Sequence, residues 1–274
     1  MQPLRLPIIF SAVAFLLISV ACSLPYLSQP TPAPTLPPSA TPLPPTLTPT
    51  PAPTPTPVPT LVPAARVEAG DRALFLGDYA AALTAYSAAL SASSDPEIQA
   101  AGLVGQGRVY LLTGRIPEAL DALRAAATGY PDTAHAPAAN YFLAQVYTEL
   151  DRFTEAAQAY ETYRTLRPGV LDAYLSELRG DALMAAGDRS GALAEYLLAL
   201  QAPRLLQDFS LEFKLAQAYT AAGDYATALV MYNDIYNRTG SDYERAQAGY
   251  LKGQVLIAQG QPETAYAAYL DVVN

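Results

Sequence analysis

The chain of 274 residues has no tryptophan, one cysteine and one histidine. With Cys22 alone, no disulfide can form within the chain. Zinc, haem and iron–sulfur centres of the usual kinds need several cysteine or histidine ligands, so we expect no cofactor. The sequence also lacks EF-hand, His-Glu-x-x-His, Gly-x-Ser-x-Gly and phosphate-loop patterns, and no nucleophile is paired with His135. These absences argue against an enzyme.

Basic residues are scarce as well. The chain has 16 lysines and arginines against 25 acidic residues, and its formal net charge is −9. Residues 1–63 carry a single charged side chain, Arg5, so the acidic excess lies entirely in 64–274. A surface of this sign repels phosphate backbones. We therefore expect no nucleic-acid partner.

The N-terminus has the pattern of an export signal. After Arg5, the segment Ile8–Ala21 is free of charge, which suits the apolar region of a signal peptide and is short for a membrane span. Small residues at Ser19-Val20-Ala21 directly precede Cys22, and this segment resembles the lipobox of bacterial lipoproteins, although Ser19 replaces the usual aliphatic residue. The resemblance implies a signal peptide of residues 1–21, acylation of Cys22 and anchoring to a bilayer outside the cytoplasm. Secretion after cleavage by ordinary signal peptidase is the alternative.

Residues 22–63 are predicted to be a linker. From Pro30 to Pro63 there are 15 prolines, with threonine filling much of the remainder. Such a segment has few backbone donors and little apolar surface to bury, so it favours disordered polyproline II over a packed core. At about 3.1 Å per residue it would reach on the order of 100 Å. We expect a stalk that holds the folded part away from the membrane.

Residues 64–274 repeat with a nearly constant period. The turn position recurs at Gly77, Gly114, Asp151, Gly187, Gly223 and Gly260, with spacings of 36 or 37 residues. Seven residues before it stands glycine or alanine, five residues after it stands alanine, and four further on stands tyrosine or, once, leucine. Small residues let two antiparallel helices approach closely, and the turn glycine tolerates a positive φ. Each unit is therefore predicted to be a helical hairpin.

This pattern resembles the tetratricopeptide repeat family. In the third unit the match runs through Leu143-Ala144, Tyr147, Ala156, Tyr160 and Pro168. The resemblance implies an all-α, right-handed superhelical solenoid of about six hairpins over residues 64–274. The units fall near 63–99, 100–136, 137–172, 173–208, 209–245 and 246–274. No unit has the family's tryptophan, and the period is two or three residues longer than the usual 34.

The family holds extended peptides or partner helices on an inner surface lined by the first helix of each hairpin. Carried over by position, the candidates for this surface are Phe75, Arg108, Leu112, Tyr141, Gln145, Tyr174, Asp181, Phe213, Gln217, Tyr250 and Gln254. Any one of the tyrosines could instead pack between units. The resemblance implies a protein-binding scaffold, which the predicted anchor places in the cell envelope. The basic clamp that some members use for a C-terminal carboxylate is absent, because only one arginine falls in this set.

A weaker resemblance, to the helical N-terminal part of soluble lytic murein transglycosylases, supplies an alternative. In that case the chain would be the front of a peptidoglycan-cleaving enzyme, because the Glu-Ser motif of that family's catalytic domain does not occur here. The end of the chain bears on this choice, since Ala268, Tyr269, Val272 and Val273 are expected to leave an apolar face. Either that face packs against another protein surface, or the natural chain continues.

Overall fold

The computed structural model describes residues 61–169, 171–201 and 209–273. The predicted signal peptide, the acylation of Cys22 and nearly all of the linker lie outside the described residues. In the described ranges the chain forms helices and no strand. The helices are α1 Pro63–Phe75, α2 Tyr79–Ala92, α3 Pro96–Leu112, α4 Ile116–Gly129, α5 Ala136–Glu149, α6 Phe153–Leu166, α7 Asp172–Ala185, α8 Arg189–Gln201, α9 Ser210–Ala222, α10 Tyr225–Arg238, α11 Asp242–Ala258 and α12 Pro262–Val273.

The helices pack as consecutive hairpins. Each odd-numbered helix lies against the helix that follows it, and each even-numbered helix lies against the first helix of the next hairpin. The first helices of neighbouring hairpins also touch, α1 with α3 and α3 with α5. Contacts limited to neighbours are the mark of a solenoid, so the predicted all-α fold class is confirmed.

A Gly-Asp pair ends the first helix of a hairpin and begins the second. Gly77 adopts a φ of +77°, and the N–H of Asp78 donates to the carbonyl of Ala73 at 2.9 Å, which satisfies a free carbonyl at the end of α1. The carboxylate of Asp78 then accepts from the N–H of Ala81 at 3.0 Å and caps α2. Because both caps are made by adjacent residues, the turn is short.

Close contact within each hairpin depends on the predicted small residues. The six alanines five residues after the turn position, from Ala82 to Ala265, are fully buried, which confirms their expected role. On the facing helix, a Cβ added to Gly70 would lie 2.5 Å from the ring of Tyr86, and one added to Gly180 would lie 2.5 Å from the ring of Tyr196. The tyrosine rings therefore occupy space that only glycine leaves open.

Two helices begin earlier than the predicted unit boundaries. Helix α3 starts at Pro96 and α11 at Asp242, so the boundaries near 99 and 245 fall inside helices. Asp95 accepts from the N–H of Glu97 at 2.9 Å, and Ser241 accepts from the N–H of Glu244 at 3.4 Å. These side-chain caps stabilise an additional first turn in both helices.

A buried ion-pair network joins the third and fourth hairpins. The side chain of Glu195 on α8 is only 5% exposed and contacts Arg164 on α6 and Arg179 on α7. Arg179 also lies 3.1 Å from Glu161, which pairs with Arg164 in turn. Two carboxylates and two guanidinium groups thus alternate across three helices. Each charge has two opposite partners, which is the condition for tolerating charge in a low-dielectric joint.

Candidate functional site

A row of polar side chains follows the first helices along the array. Each member stands one residue after the small residue that faces the partner helix, and is therefore turned about 100° away from the hairpin contact. The six positions are Asp71, Arg108, Gln145, Asp181, Gln217 and Gln254. All six are at least partly exposed. This row is the central line of the predicted inner surface.

The middle of the row is a charged cluster around Asp181. Lys214 Nζ on α9 lies 2.6 Å from Asp181 Oδ2 and 2.8 Å from Glu177 Oε1, both on α7. Partial burial alone would lower the pKa of Lys214, but the hydrogen bonds to Asp181 and Glu177 outweigh it and raise this pKa. The ammonium group is thus held charged between two hairpins.

Next to this cluster lies a group of tyrosines. The ring of Tyr141 makes edge contacts with Tyr160 and Tyr163, with centroids 6.1 and 6.0 Å apart. Burial and a hydrogen bond with Tyr174 raise the pKa of Tyr141 to about 12. Tyr174 itself is half-exposed. The hydroxyls of Tyr141 and Tyr174 therefore lie as hydrogen-bond donors and acceptors beside the carboxylates of α7.

The N-terminal part of the surface is more apolar. Arg108 lies 3.7 Å from Asp71 Oδ1, and its guanidinium stands over the ring of Phe142 at 5.4 Å. Phe75 and Leu112, at the C-terminal ends of α1 and α3, are the most exposed apolar and aromatic members of the predicted set, with Phe75 89% accessible. Both side chains are free to contact another molecule.

A groove of about 430 Å³ opens between α9 and α11. It is lined by Ser210, Phe213, Lys214, Gln217, Ser241, Tyr243, Glu244 and Gln247. Phe213 requires a correction to the predicted contact surface: its side chain is 5% exposed and packs beside Tyr232, with ring centroids 6.4 Å apart. It forms the floor of the groove, because the next hairpin covers it. The exposed ring in this groove belongs to Tyr243.

A second groove, of about 420 Å³, lies between the turn of the second hairpin and α5 and α6 of the third. Gln145 contributes to its wall, together with Leu111, Ile116 and Glu149. Farther along the array, Gln254 donates from Nε2 to the hydroxyl of Tyr250 at 2.8 Å, and both residues are exposed. The structure thus places ten of the eleven predicted residues on accessible surface of the first helices.

Four residues of this surface were missed from sequence. Asp71 occupies the same position in the first unit as Asp181 in the fourth, so the repeat register alone could have identified it. Glu177, Lys214 and Tyr243 stand at other positions of the first helices. Only the packing of neighbouring hairpins brings Glu177 to Lys214, and Lys214 and Tyr243 to one groove. Their position follows from contacts between units, which a single repeat does not encode.

The described part of the chain has neither a metal-binding cluster nor a membrane-spanning helix. In that part of the chain, no group of three or more histidine, cysteine, aspartate or glutamate side chains is placed to hold a metal ion. None of the described helices has the length and apolar character needed to cross a membrane.

By its contacts and its exposed surface, the described part of the chain is a solenoid of helical hairpins with a long polar and aromatic surface on its first helices. Family models of the tetratricopeptide repeat match residues 67–134, 132–170 and 210–238. Residues 67–170 and 210–238 of this chain are tetratricopeptide repeats, which confirms the resemblance over those ranges. Proteins of this class are scaffolds for protein–protein interaction, and that general function follows from the family.

Solved structures agree with the fold. The chain is similar to MamA residues 41 to the end from Desulfovibrio magneticus RS-1, at 18% identity and a TM-score of 0.53 over 64% of this chain and 93% of that one. It is also similar to Naa15/Naa10 bound to HypK-THB, at 18% identity and a TM-score of 0.55, covering 75% of this chain and 30% of that chain. No curated protein sequence matches. The weaker resemblance to murein transglycosylases finds no support in these matches.

Proposed function

We propose that this chain is a membrane-anchored extracytoplasmic scaffold, not an enzyme, whose repeat array binds an extended segment of another protein during assembly or maintenance of the cell envelope. The observation that carries the proposal is the continuous row of polar side chains on the first helices, flanked by exposed aromatic rings. Tyrosine and phenylalanine offer a large contact area with few rotatable bonds. Glutamine and tyrosine can both donate and accept hydrogen bonds to a peptide backbone.

The charges of the surface favour a partner segment that is neutral or cationic. Lys214 is already paired with Glu177 and Asp181, so its ammonium group is not available to an acidic segment. An acidic segment would also be repelled by the net charge of −9 of the whole chain. A test of this proposal must show which residues of the chain the partner contacts, and not only that a partner binds.

Site-specific photocrosslinking in the producing cell tests the binding surface. A photoreactive amino acid is placed at Tyr174 or Gln217 on the first helices, and in matched variants at Ala194 or Leu197, which are exposed on the second helix α8. We expect adducts with another polypeptide from positions 174 and 217, and none from 194 and 197. Equal adduct patterns from both sets would overturn the proposed surface.

The anchor is tested separately by intact mass. The protein is extracted from membranes with detergent, and we expect the mass of residues 22–274 plus acyl chains. Cys22→Ser should remove the added mass and release the chain from the membrane fraction. An unmodified Cys22 in a soluble fraction would contradict the anchor and leave the binding surface unaffected.

A further inference from the structure

The groove between α9 and α11 is built in part by the additional first turn of α11. Ser241, which caps this turn, and Tyr243 and Glu244, which belong to it, are three of the eight residues that line the groove. Hydrogen bonds of its own hold the turn in place: the hydroxyl of Thr239 donates to Glu244, and the N–H of Ser241 donates to the Thr239 hydroxyl at 3.0 Å. The ring of Tyr243 is 77% exposed, so the packing of the array does not require it.

The rest of α11 serves packing inside its own hairpin. Tyr269 and Val272 of α12 pack on the two glycines of α11, and Ala268 is buried. These side chains therefore do not form the apolar face that the sequence led us to expect near the end of the chain. By contrast, Tyr243 and Gln247 line a groove that no described side chain fills.

Both charged residues of the groove already have partners inside the array. Lys214 lies 2.8 Å from Glu177 and 2.6 Å from Asp181. Glu244 accepts from the hydroxyl of Thr239, which is a buried residue. A charged side chain that entered the groove would lose its hydration without gaining an unpaired opposite charge, which is unfavourable. The groove therefore favours an uncharged side chain.

The floor of the groove is apolar. The ring of Phe213 forms it, and the exposed ring of Tyr243 stands at its edge. The volume of about 430 Å³ falls within the range of about 300–1,000 Å³ that is typical of ligand sites. A large apolar side chain that leaves water for this groove should strengthen binding by about tenfold or more.

Two amide side chains on the walls of the groove are available to a peptide backbone. Of the six residues in the polar row on the first helices, Gln217 alone has no hydrogen bond or ion pair within the described residues. Gln145 and Gln254, at the equivalent position, each hydrogen-bond with a tyrosine of their own helix. Gln247 is partly buried and, in the same described ranges, also has no hydrogen-bond partner. An amide both donates and accepts, so Gln217 and Gln247 can bond the N–H and C=O groups of an extended segment.

We propose that the groove between α9 and α11 is the specificity pocket of the array. It takes one uncharged apolar side chain, such as leucine, methionine or phenylalanine, from the extended partner segment, while Gln217 and Gln247 bond the backbone of that segment. The pocket rests on the proposed function, since it holds the same segment on the same surface. It adds the type of side chain that the array selects.

A peptide probe tests the preference for an apolar side chain. Random peptides displayed on phage are selected on the detergent-extracted full chain, and the most enriched peptide is synthesised with a fluorescent label. Fluorescence anisotropy then gives its Kd. We expect an apolar side chain in this probe whose replacement by lysine weakens binding by about tenfold or more, whereas another apolar side chain of similar size changes it little. A probe that tolerates lysine in place of each of its apolar side chains would overturn the pocket.

Variants of the full chain locate the bound probe. Gln217→Ala and Tyr243→Ala should each weaken its binding by about five- to tenfold. Gln254→Ala is the matched control, because this amide stands at the equivalent position of the next hairpin and is already bonded to Tyr250. It should bind the probe as the unsubstituted chain does. The unfolding midpoint confirms that each variant is folded, and equal losses in Gln217→Ala and Gln254→Ala would contradict the assignment.

Photocrosslinking in the producing cell separates the pocket from the proposed function. A photoreactive amino acid at Tyr243 should join the natural partner at or next to an apolar residue, which mass spectrometry of the joined peptides identifies. The matched variant carries the group at Val230, which is 68% exposed on the second helix α10, and should give no adduct. Adducts from Tyr174 with none from Tyr243 would refute the pocket and leave the proposed function standing. The absence of adducts from both positions would refute both.

Discussion

The hydroxyl of Tyr196 on α8 donates a 2.8 Å hydrogen bond to Oδ1 of Asp181 on α7. The ring of the same tyrosine fills the space beside Gly180, the residue before Asp181. One side chain thus closes the hairpin through its ring and fixes an inner-surface carboxylate through its hydroxyl. The first hairpin repeats the arrangement, with Tyr86 donating to Asp71 at 2.7 Å. Hairpin packing and the binding surface are therefore coupled at two points of the array.

Tyr196→Phe tests this coupling. The substitution keeps the ring and removes a hydrogen bond to a charged acceptor, so we expect the free energy of unfolding to fall by about 1–2 kcal/mol in urea titrations. Tyr269→Phe is the matched control, because no hydrogen bond of the Tyr269 hydroxyl is found among the described residues. If both variants lose the same stability, the bond to Asp181 contributes nothing specific.

Alkaline pH should unfold the array through its buried tyrosines. The pKa of Tyr86, Tyr160 and Tyr196 is raised above the ordinary value of 10.0. Burial is the largest cause, and hydrogen bonds or nearby charges add to it. The pKa of Tyr141 is raised to about 12. Because the folded protein holds these protons more tightly than the unfolded chain does, their contribution is complete below pH 10. It is lost as the pH rises through the folded pKa values.

Tyrosinate absorbance and helical circular dichroism, followed together from pH 9 upward, measure this effect. We expect the helical signal to be unchanged at about pH 10. The buried tyrosines should then ionise in one cooperative step that coincides with unfolding. Complete ionisation of the tyrosines before any loss of helix would contradict the raised pKa values.

The joint between the third and fourth hairpins should depend on Glu195. Glu195→Ala removes the buried one of the two carboxylates that Arg164 and Arg179 share. Breaking a buried pair costs about 3–5 kcal/mol, and because Glu161 still contacts both guanidinium groups, we expect a loss toward the lower end of that range. Urea unfolding measures the loss. Glu155→Ala, which removes the solvent-exposed partner of Arg152, should leave the midpoint nearly unchanged. Equal effects of the two substitutions would show that burial of the network is unimportant.

The features that recur in every hairpin could be predicted from the sequence alone. The alanines from Ala82 to Ala265 and the ring positions such as Tyr86 recur at fixed spacing because every hairpin needs the same close contact. Burial of Phe213 was not predictable from its own unit, since α11 of the next hairpin covers it. The network around Glu195 was hidden for the same reason, because its four members lie on three helices of two hairpins and have no equivalent elsewhere in the repeat.

Asp151 is the one described residue other than glycine with a positive φ, at 56°. It stands at the turn position where the other five hairpins have glycine, such as Gly187 with a φ of +85°. A side chain in this conformation is strained, although aspartate tolerates it better than most residues do.

Asp151→Gly should therefore stabilise the array, by about 0.5–1 kcal/mol, while Asp151→Ala should destabilise it by about the same amount. The matched substitution Gly187→Ala places a Cβ in the same conformation and should also destabilise, by about 1–2 kcal/mol. Urea titration of the three variants measures these differences. A loss of stability in Asp151→Gly would mean that the carboxylate makes a contribution larger than the backbone strain it imposes.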